Sequence, residues 1–192
     1  DQPGGATMTE KEKMLAGEPY DAADPQLAGE RRRARDILHA LNTSRDGQRE
    51  LRMDAIRRLF GAAGEGVWIE PPFFCDYGGN IRVGDRVFFN FDCVVLDPGP
   101  VIIGSDVQLG PAVQIYTATH PLGHEARRTG LESAKPVTIG SDVWVGGGAI
   151  ILPGVTIGAR SVIGAGSVVT ADVPEGVLAA GNPCRVIRRL EP

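Results

Sequence analysis

An aliphatic side chain returns at every sixth position between Val137 and Thr170, and this spacing constrains the fold more strongly than any other feature of the sequence. The repeated positions are Ile139, Val145, Ile151, Ile157, Ile163 and Val169. Two residues ahead of each stands a small or β-branched residue, namely Val137, Val143, Ala149, Val155, Ser161 and Ser167. A period of six is neither helical nor that of a single strand. It predicts short strands joined by tight turns that wind into a parallel β-helix, with three hexads in each coil.

The same register occurs in two earlier runs. Their inward positions are Ile81, Val83, Val87, Phe89, Cys93 and Val95 in one, and Val101, Ile103, Val107, Leu109, Val113 and Ile115 in the other. We predict that these side chains stack inside the coil, where each contributes roughly 1.5–3 kcal/mol. Glycines fall where the chain bends between strands, and we expect them to take a backbone conformation that larger residues resist. These glycines are Gly104, Gly140, Gly158 and Gly164.

The runs differ in phase, which predicts two insertions in the coil. The first, Asp97–Pro100, is short and turn-like because it contains proline and glycine. The second is a long loop at about residues 117–136. Loops of that length inside a compact domain are usually functional or disordered.

The sequence pattern of residues 8–61 predicts a small α-helical cap on the β-helix. Thr9 and Glu12 have the spacing of a capping box, and the helix they open ends at Gly17. Asp24 and Pro25 begin a second helix, and a third spans residues 46–60. The apolar positions expected to face inward are Leu27, Ala34, Ile37, Leu38 and Leu41 in the second helix, and Leu51, Ala55, Ile56, Leu59 and Phe60 in the third.

Other segments complete the predicted organisation. Residues 1–7 read as a leader or vector-derived sequence, 62–175 as the β-helix, and 176–192 as a C-terminal segment with a strand or two and a tail. On the second helix, a basic cluster is interpreted as a solvated surface. Its members are Arg31, Arg32, Arg33 and Arg35. A solenoid with open flanks also favours oligomerisation.

Bulk properties exclude several classes of protein. A net charge of −4 argues against a nucleic-acid surface. There is no apolar run long enough for a transmembrane helix and no signal-peptide layout. Cys75, Cys93 and Cys184 cannot all pair, and their spacing suggests no disulfide framework. We therefore predict a cytoplasmic protein with reduced thiols.

Among the three histidines, His120 is the candidate for chemistry. It stands where the repeat ends and the long loop begins, a suitable place for a group that must meet a substrate. His39 falls near the apolar face of the second helix and is interpreted as a packing or surface residue. A zinc site needs at least three protein ligands. Asp97, Glu125 and Glu132 could join His120 and His124 as ligands, but nothing in their spacing demands a metal site. No metal is therefore predicted.

Several motifs together resemble the maltose and galactoside O-acetyltransferases, a branch of the hexapeptide-repeat acyltransferases. They are TEKEKMLAGE, NFDCV, YTATHP, KPVTIG, VWVGGG, PGVTIG and AAGNPCRVI, in this order from about Met8 to the C-terminus. The resemblance implies a left-handed parallel β-helix and a homotrimer. It also implies that acetyl-CoA and a sugar bind in clefts between neighbouring prisms, and that acetyl passes to a sugar hydroxyl without an acyl-enzyme intermediate.

The resemblance also assigns roles to residues of this chain. The family's general base matches His120. Its acceptor asparagine matches Asn90, its acceptor serine falls on Asp76, and its tryptophan beside the histidine matches Trp144. Asp97, next to an acceptor position, and Glu132 are also predicted to contact the acceptor. The family's acetyl-CoA contacts correspond to Gly147, Ala165, Thr170, Ala171, Arg185 and Arg188. Three positions depart from the galactoside branch: Asp76 replaces an acceptor serine, whereas Ala22 and Pro98 replace acceptor aspartates.

Two of these residues, and the activity itself, allow more than one interpretation. Asn90 also suits a coil corner, and Trp144 also suits an outward position covering a trimer interface. Ala171 stands where the family has a lysine, so one charge contact to the cofactor is missing. The alternatives to a sugar O-acetyltransferase are an enzyme acting on a non-sugar acceptor, such as an antibiotic or an amino-acid hydroxyl, and a non-catalytic β-helix used for assembly. A metal-dependent hydratase on the same fold is a further alternative.

Overall fold

Short strands wind into a triangular prism with three sheets, whose strands are parallel except for the last strand of the chain. The structure is a computed structural model that describes residues 7–192, so the predicted leader lies, apart from Thr7, outside the described residues. Sheet 1 contains β2 (Ala62–Ala63), β5 (Ile81–Val83), β8 (Val101–Ile103), β13 (Val137–Ile139) and β16 (Thr156–Ile157). Sheet 2 contains β3 (Trp68–Ile69), β6 (Phe88–Phe89), β9 (Gln108–Leu109), β14 (Trp144–Val145), β17 (Val162–Ile163), β19 (Val177–Gly181) and β20 (Cys184–Arg189). Sheet 3 contains β4 (Phe73–Cys75), β7 (Cys93–Leu96), β10 (Gln114–Tyr116), β15 (Ile150–Ile151) and β18 (Val168–Val169).

Each coil visits sheets 1, 2 and 3 in turn, and this is the left-handed parallel β-helix that was predicted. Two of the prism's corners carry most of the predicted site residues. The hairpin edge joins sheet 3 to sheet 1 and consists of residues 76–80, 97–100, 117–136, 152–155 and 170–172. The glycine edge joins sheet 2 to sheet 3 and consists of residues 90–92, 110–113, 146–149 and 164–167. One full sheet, sheet 3, separates the two edges.

The interior is the predicted ladder. Every position of the six-residue register that was expected to face inward is buried. Phe60, Phe73 and Phe89 fill the first coils with ring centroids 5.3–5.9 Å apart. At the other end, the buried Ser161 and Ser167 accept hydrogen bonds from the N–H groups of Val177 and Gly181. The serines therefore fix the C-terminal strands to the last coil.

The predicted reason for the turn glycines was wrong. Gly104 and Gly140 do not adopt the left-handed conformation, which occurs two residues later at Asp106 and Asp142 with φ of 58° and 60°. A Cβ on either glycine would instead lie 2.6 Å from a backbone nitrogen of the next coil. Glycine is required because the coils stack too closely for any side chain.

The cap consists of α1 (Glu10–Leu15), β1 (Tyr20–Asp21), α2 (Pro25–Asn42) and α3 (Arg49–Leu59). The capping box is present, and Asp24 accepts hydrogen bonds from the first turn of α2. The third helix begins three residues later than predicted. Its expected inward Leu51 is 39% exposed, whereas Arg52 is only 4% exposed. Arg52 takes the inward position because Ser44 and Asp46 hydrogen-bond its guanidinium.

The insertion at residues 117–136 is folded rather than irregular. It contains β11 (Ala118–Thr119), α4 (His124–Arg128) and β12 (Leu131–Ala134). The strands β11 and β12 form an antiparallel hairpin, and β12 also pairs with β1 of the cap, with Tyr20 opposite Glu132. The hairpin is thus tied to the cap, a pairing that the sequence patterns did not indicate.

The C-terminal segment forms the hairpin β19–β20. Because β19 pairs in parallel with β17, sheet 2 continues past residue 175. No helix in the described part of the chain has the length and apolar character needed to span a membrane.

Candidate active site

His120 lies on the hairpin edge, immediately after β11. The preceding Thr117 is fully buried, where its hydroxyl donates to the Leu96 carbonyl at 2.8 Å and accepts from the Gly99 N–H at 2.9 Å. After His120, Arg127 donates to the carbonyls of Pro121 and Leu122 at 3.1 and 3.0 Å. Both sides of His120 are therefore held, while its own side chain is exposed.

A cavity of about 220 Å³, here called the cap cavity, opens beside this segment. It is lined by Tyr20, Ala22, Arg31, Arg35, Asp76, Tyr77, Pro98, Ala118 and Glu132. His120 is not in the lining but follows Ala118 by two residues. The three positions that depart from the galactoside branch, Ala22, Asp76 and Pro98, all meet in this one cavity. Residues from the cap, the coil and the hairpin thus build it jointly.

Two carboxylates, those of Asp76 and Glu132, provide hydrogen-bond acceptors in the cap cavity. Burial raises the pKa of Asp76, and this outweighs the opposing effect of Arg31. Glu132 accepts a hydrogen bond from the Tyr20 hydroxyl at 3.3 Å. Burial, with the adjacent Glu132 charge, raises the pKa of Tyr20 and keeps its hydroxyl protonated as a donor. The cavity can therefore accept hydrogen bonds at Asp76 and Glu132 from a hydroxylated ligand.

Asp97 has no accessible surface, which differs from its expected role as an acceptor contact. Its two carboxylate oxygens accept the N–H groups of Tyr77 at 2.9 Å and Asn80 at 3.3 Å. Burial raises the pKa of this carboxyl to about 7. Asp97 therefore lies behind the lining and shapes the turn that presents Asp76 and Tyr77.

Arg31 is a site residue that sequence reasoning missed, and its interpretation as a solvated side chain was wrong. It donates to the Tyr77 hydroxyl at 2.7 Å and to the Ala22 carbonyl at 2.8 Å. Its guanidinium also lies 5.6 Å from the centroid of the Tyr77 ring. The spacing of four residues puts Leu27, Arg31 and Arg35 on one face of the second helix, but it does not indicate Tyr77 as a partner.

The remaining predicted acceptor residues lie elsewhere on the prism. Asn90 stands on the glycine edge, where its side-chain oxygen accepts the Phe91 N–H at 2.8 Å. Trp144 projects from the outer face of sheet 2 and is 57% exposed. Within one chain, neither residue shares an edge with His120. The structure thus brings Asp76 and Glu132 together and leaves Asn90 and Trp144 apart from them.

The predicted acetyl-CoA residues are also divided between the edges. Gly147 and Ala165 lie on the glycine edge, whereas Thr170 and Ala171 lie on the hairpin edge and are exposed. A Cβ on Gly146 would lie 2.5 Å from the Ala165 nitrogen, so these coils are in close contact. The exposed Arg185 and Arg188 lie on β20.

Neither metal chemistry nor thiol chemistry has a built site in the described chain. Within residues 7–192, no three His, Cys, Asp or Glu side chains are grouped closely enough to hold a metal ion. The three cysteines are buried and unpaired, and burial raises the pKa of the Cys93 thiol to about 11.

Comparisons with known proteins agree on one family. Residues 13–64 match the maltose acetyltransferase hexapeptide capping motif, and residues 136–171 match six bacterial transferase hexapeptide repeats. A maltose O-acetyltransferase from Clostridium difficile is 49% identical, with a TM-score of 0.95 over 96% of this chain and 99% of its own.

Two further solved structures are similar over nearly the whole chain. A galactoside acetyltransferase in complex with coenzyme A is 40% identical, with a TM-score of 0.93 over 96% of this chain and 92% of its own. A hexapeptide-repeat acetyltransferase from Vibrio cholerae, complexed with acetyl coenzyme A, is 43% identical, with a TM-score of 0.89 over 96% of this chain and 100% of its own. The chain therefore belongs to the maltose and galactoside acetyltransferase branch of the hexapeptide-repeat acyltransferases.

Proposed function

We propose that the protein is an acetyl-CoA-dependent O-acetyltransferase that acts on a hydroxyl of a sugar of the maltose, glucose or galactoside type. The observation that carries the proposal is the cap cavity. It unites Ala22, Asp76 and Pro98, positions at which the resemblance implies acceptor contacts, with Glu132, beside the segment that bears His120. A few convergent polar side chains that fix a ligand's orientation are typical of small-molecule sites. The names of the relatives support the same reaction class.

His120 is the general base of the proposed reaction. Its neutral imidazole takes the proton from the acceptor hydroxyl as that oxygen attacks the thioester carbonyl. The C–S bond then breaks, and the imidazolium gives the proton to the departing CoA sulfur. Acetyl ends on the acceptor oxygen and CoA leaves as the free thiol. Since the transfer is direct, the buried cysteines have no part in it.

Small residues on the glycine edge suit the pantetheine arm of acetyl-CoA. Ala165 and Gly166 are exposed, and a Cβ on Gly166 would meet no atom within 4 Å. An extended ligand can therefore approach the backbone amides near Gly147 and Ala165. Thr170 and Ala171 contact it from the hairpin edge, while Arg185 and Arg188 pair with its phosphates.

The two edges meet between neighbouring chains of a homotrimer. In a single chain sheet 3 separates His120 from Asn90 and Gly147, and Trp144 lies on the outer face of sheet 2, so these residues can share one site with His120 only across an interface. Exposed apolar side chains on the prism's outer faces support such contacts, notably Phe74 and Phe91 with exposures of 49% and 52%. The three unpaired cysteines favour a cytoplasmic location.

The decisive experiment is an acceptor screen that measures free thiol released from acetyl-CoA. Maltose, glucose and a galactoside form one panel, and an aminoglycoside and serine form another, with a reaction lacking acceptor as the blank. We expect release above the blank with at least one sugar, together with an acetylated sugar detected by mass spectrometry. Release only with the non-sugar panel would replace the sugar with another acceptor, and no release with either would favour a non-catalytic assembly protein.

A further inference from the structure

A carboxylate without solvent contact and without a cationic partner lies behind the cap cavity. Asp97 is fully buried, and within residues 7–192 no lysine, arginine or histidine forms an ion pair with it. Moving a charge out of water costs free energy, which only a counter-charge or hydrogen bonds offset. The fold therefore retains at this position a group that an uncharged residue could replace at lower cost.

Both oxygens of this carboxylate bind the turn that follows β4. Oδ1 of Asp97 accepts the N–H of Tyr77 at 2.9 Å, and Oδ2 accepts the N–H of Asn80 at 3.3 Å. The side-chain amide of Asn80 also donates to the Asp97 carbonyl at 2.8 Å. An ionised carboxylate accepts at both oxygens, whereas an amide has one acceptor oxygen and an NH2 donor. Asparagine at position 97 would therefore bring a donor against one of the two N–H groups.

The turn that Asp97 holds supplies part of the wall of the cap cavity. Asp76 and Tyr77 both line this cavity. The Tyr77 hydroxyl accepts a hydrogen bond from Arg31 at 2.7 Å, and Arg31 also donates to the Ala22 carbonyl at 2.8 Å. Consecutive contacts thus connect the buried carboxylate, through the turn, to the cap.

Asp97 lowers the stability of the fold while it fixes this turn. Burial raises the pKa of its carboxyl to about 7, although the N–H groups of Tyr77 and Asn80 oppose the rise. The titratable groups next to it are Cys75, Asp76 and Tyr77. Because the pKa is higher in the folded than in the unfolded chain, ionisation of Asp97 lowers the stability as the pH rises from about 4 to about 7. A group that is retained at a cost in stability is a candidate for a role in function.

We propose that Asp97 is a positioning residue of the acceptor site, and that it holds Asp76 and Tyr77 in the geometry that receives the sugar. The inference rests on the proposed function. Asp97 does not touch the acceptor, since it has no accessible surface, and it acts only through the turn. Its loss should weaken sugar binding and leave acetyl-CoA binding unchanged, because none of the proposed cofactor residues belongs to this turn.

The test compares Asp97→Asn with the wild type at about pH 8, where the carboxyl is mostly ionised. Asparagine keeps the volume but conflicts with one N–H group. KM for the sugar should rise by about tenfold, the effect of losing one hydrogen bond to a charged group, with KM for acetyl-CoA unchanged. The midpoint of urea unfolding should not fall, because the variant buries no charge. A merely structural residue would instead lose stability and sugar affinity together.

Asp106→Asn is the matched control. The Asp106 carboxylate also accepts two N–H groups, those of Nε and Nη2 of Arg86 at 2.6 and 2.9 Å. It is exposed, however, and lies between β8 and β9, on the third corner of the prism, where no site residue is proposed. This variant should change neither KM value.

A milder variant, Asn80→Ala, keeps the test decisive if Asp97→Asn does not fold. It removes the 2.8 Å hydrogen bond to the Asp97 carbonyl and loosens the same turn, but it leaves the carboxylate in place. KM for the sugar should rise by about fivefold, the usual effect of losing one hydrogen bond between uncharged groups. Amide hydrogen exchange in the peptide that spans residues 76–80 should be faster in both variants, because fewer hydrogen bonds hold the turn.

Three outcomes would overturn the inference. An unchanged KM for the sugar in Asp97→Asn and Asn80→Ala would remove it and leave the proposed function standing, since the wild type still acetylates the sugar. A lower unfolding midpoint with equal rises in both KM values would make Asp97 a structural residue only. Failure of the wild type to acetylate any sugar would remove the proposed function and this inference together.

Discussion

The two edges of the prism are built from the same six-residue repeat but differ in what the repeat allows. The glycine edge has short, uninterrupted turns. Glycine is required at position 146 because a Cβ there would lie only 2.5 Å from the Ala165 nitrogen of the next coil. The hairpin edge is interrupted, and its insertion carries His120, Glu132 and a short helix. One edge offers accessible backbone, and the other offers titratable side chains. Neither edge carries all of the residues that we propose for catalysis and cofactor binding.

The difference between the two edges explains how a repetitive scaffold can acquire a site. Regular coils fix the spacing of backbone groups along the glycine edge, because each coil must stack on the next. Interruptions are tolerated only where the chain passes from one sheet to the next, and there they can lie over the surface and carry function. In the proposed homotrimer, a second chain places one kind of edge against the other.

The largest expected effect is on the hairpin edge. His120→Ala removes the proposed base, and we expect kcat to fall by about 10²–10⁴-fold, the usual contribution of general base catalysis. Binding of acetyl-CoA, measured by calorimetry, should change little because His120 does not hold the cofactor. Near-normal turnover in this variant would show that another group accepts the proton.

Mixed oligomers test whether the edges meet across chains. His120→Ala and Asn90→Ala damage opposite edges, and each variant alone should be nearly inactive. In a cyclic trimer every mixed ring restores one intact interface, so random mixing of equal amounts should recover roughly one quarter of wild-type activity. The measurement is acetyl transfer after co-refolding the two tagged variants. Activity that stays at the level of the single variants would place both residues in one chain's site.

The sequence predicted the scaffold well because its signal is local. A buried ladder needs only an aliphatic residue at a fixed interval, and every such position is inside. The cap cavity depends instead on contacts between distant segments, such as Tyr20 with Glu132 and Arg31 with Tyr77. No spacing in the sequence encodes those pairings. For the same reason Asp97, placed beside an acceptor position in the sequence, proved to be buried behind it.

A side chain added to the glycine edge should affect the cofactor alone. Ala165 is exposed, so Ala165→Leu fits the fold but fills space that the pantetheine arm needs. We expect KM for acetyl-CoA to rise by about tenfold, equivalent to about 1.4 kcal/mol, with KM for the sugar unchanged. Ala159→Leu, at the equivalent position of the preceding turn, is the matched control. Equal effects from both variants would indicate general damage to the coil rather than a cofactor surface.

The smallest expected effect concerns the link between the cap and the hairpin edge. Tyr20→Phe removes the 3.3 Å hydrogen bond to Glu132 while keeping the buried ring. The loss should lower the free energy of unfolding by about 1 kcal/mol, the usual net contribution of one hydrogen bond. Because Glu132 is then less well held, kcat/KM for the sugar should fall by roughly fivefold, which corresponds to the same energy. KM for acetyl-CoA should not change, since the substitution does not touch the glycine edge.

Tyr116→Phe, which deletes the hydroxyl bonded to Gln114 on sheet 3, is the control and should leave sugar kinetics unchanged. If Tyr20→Phe alters acetyl-CoA kinetics as strongly as sugar kinetics, the cap acts on the whole site, and the separation of roles between the two edges does not hold.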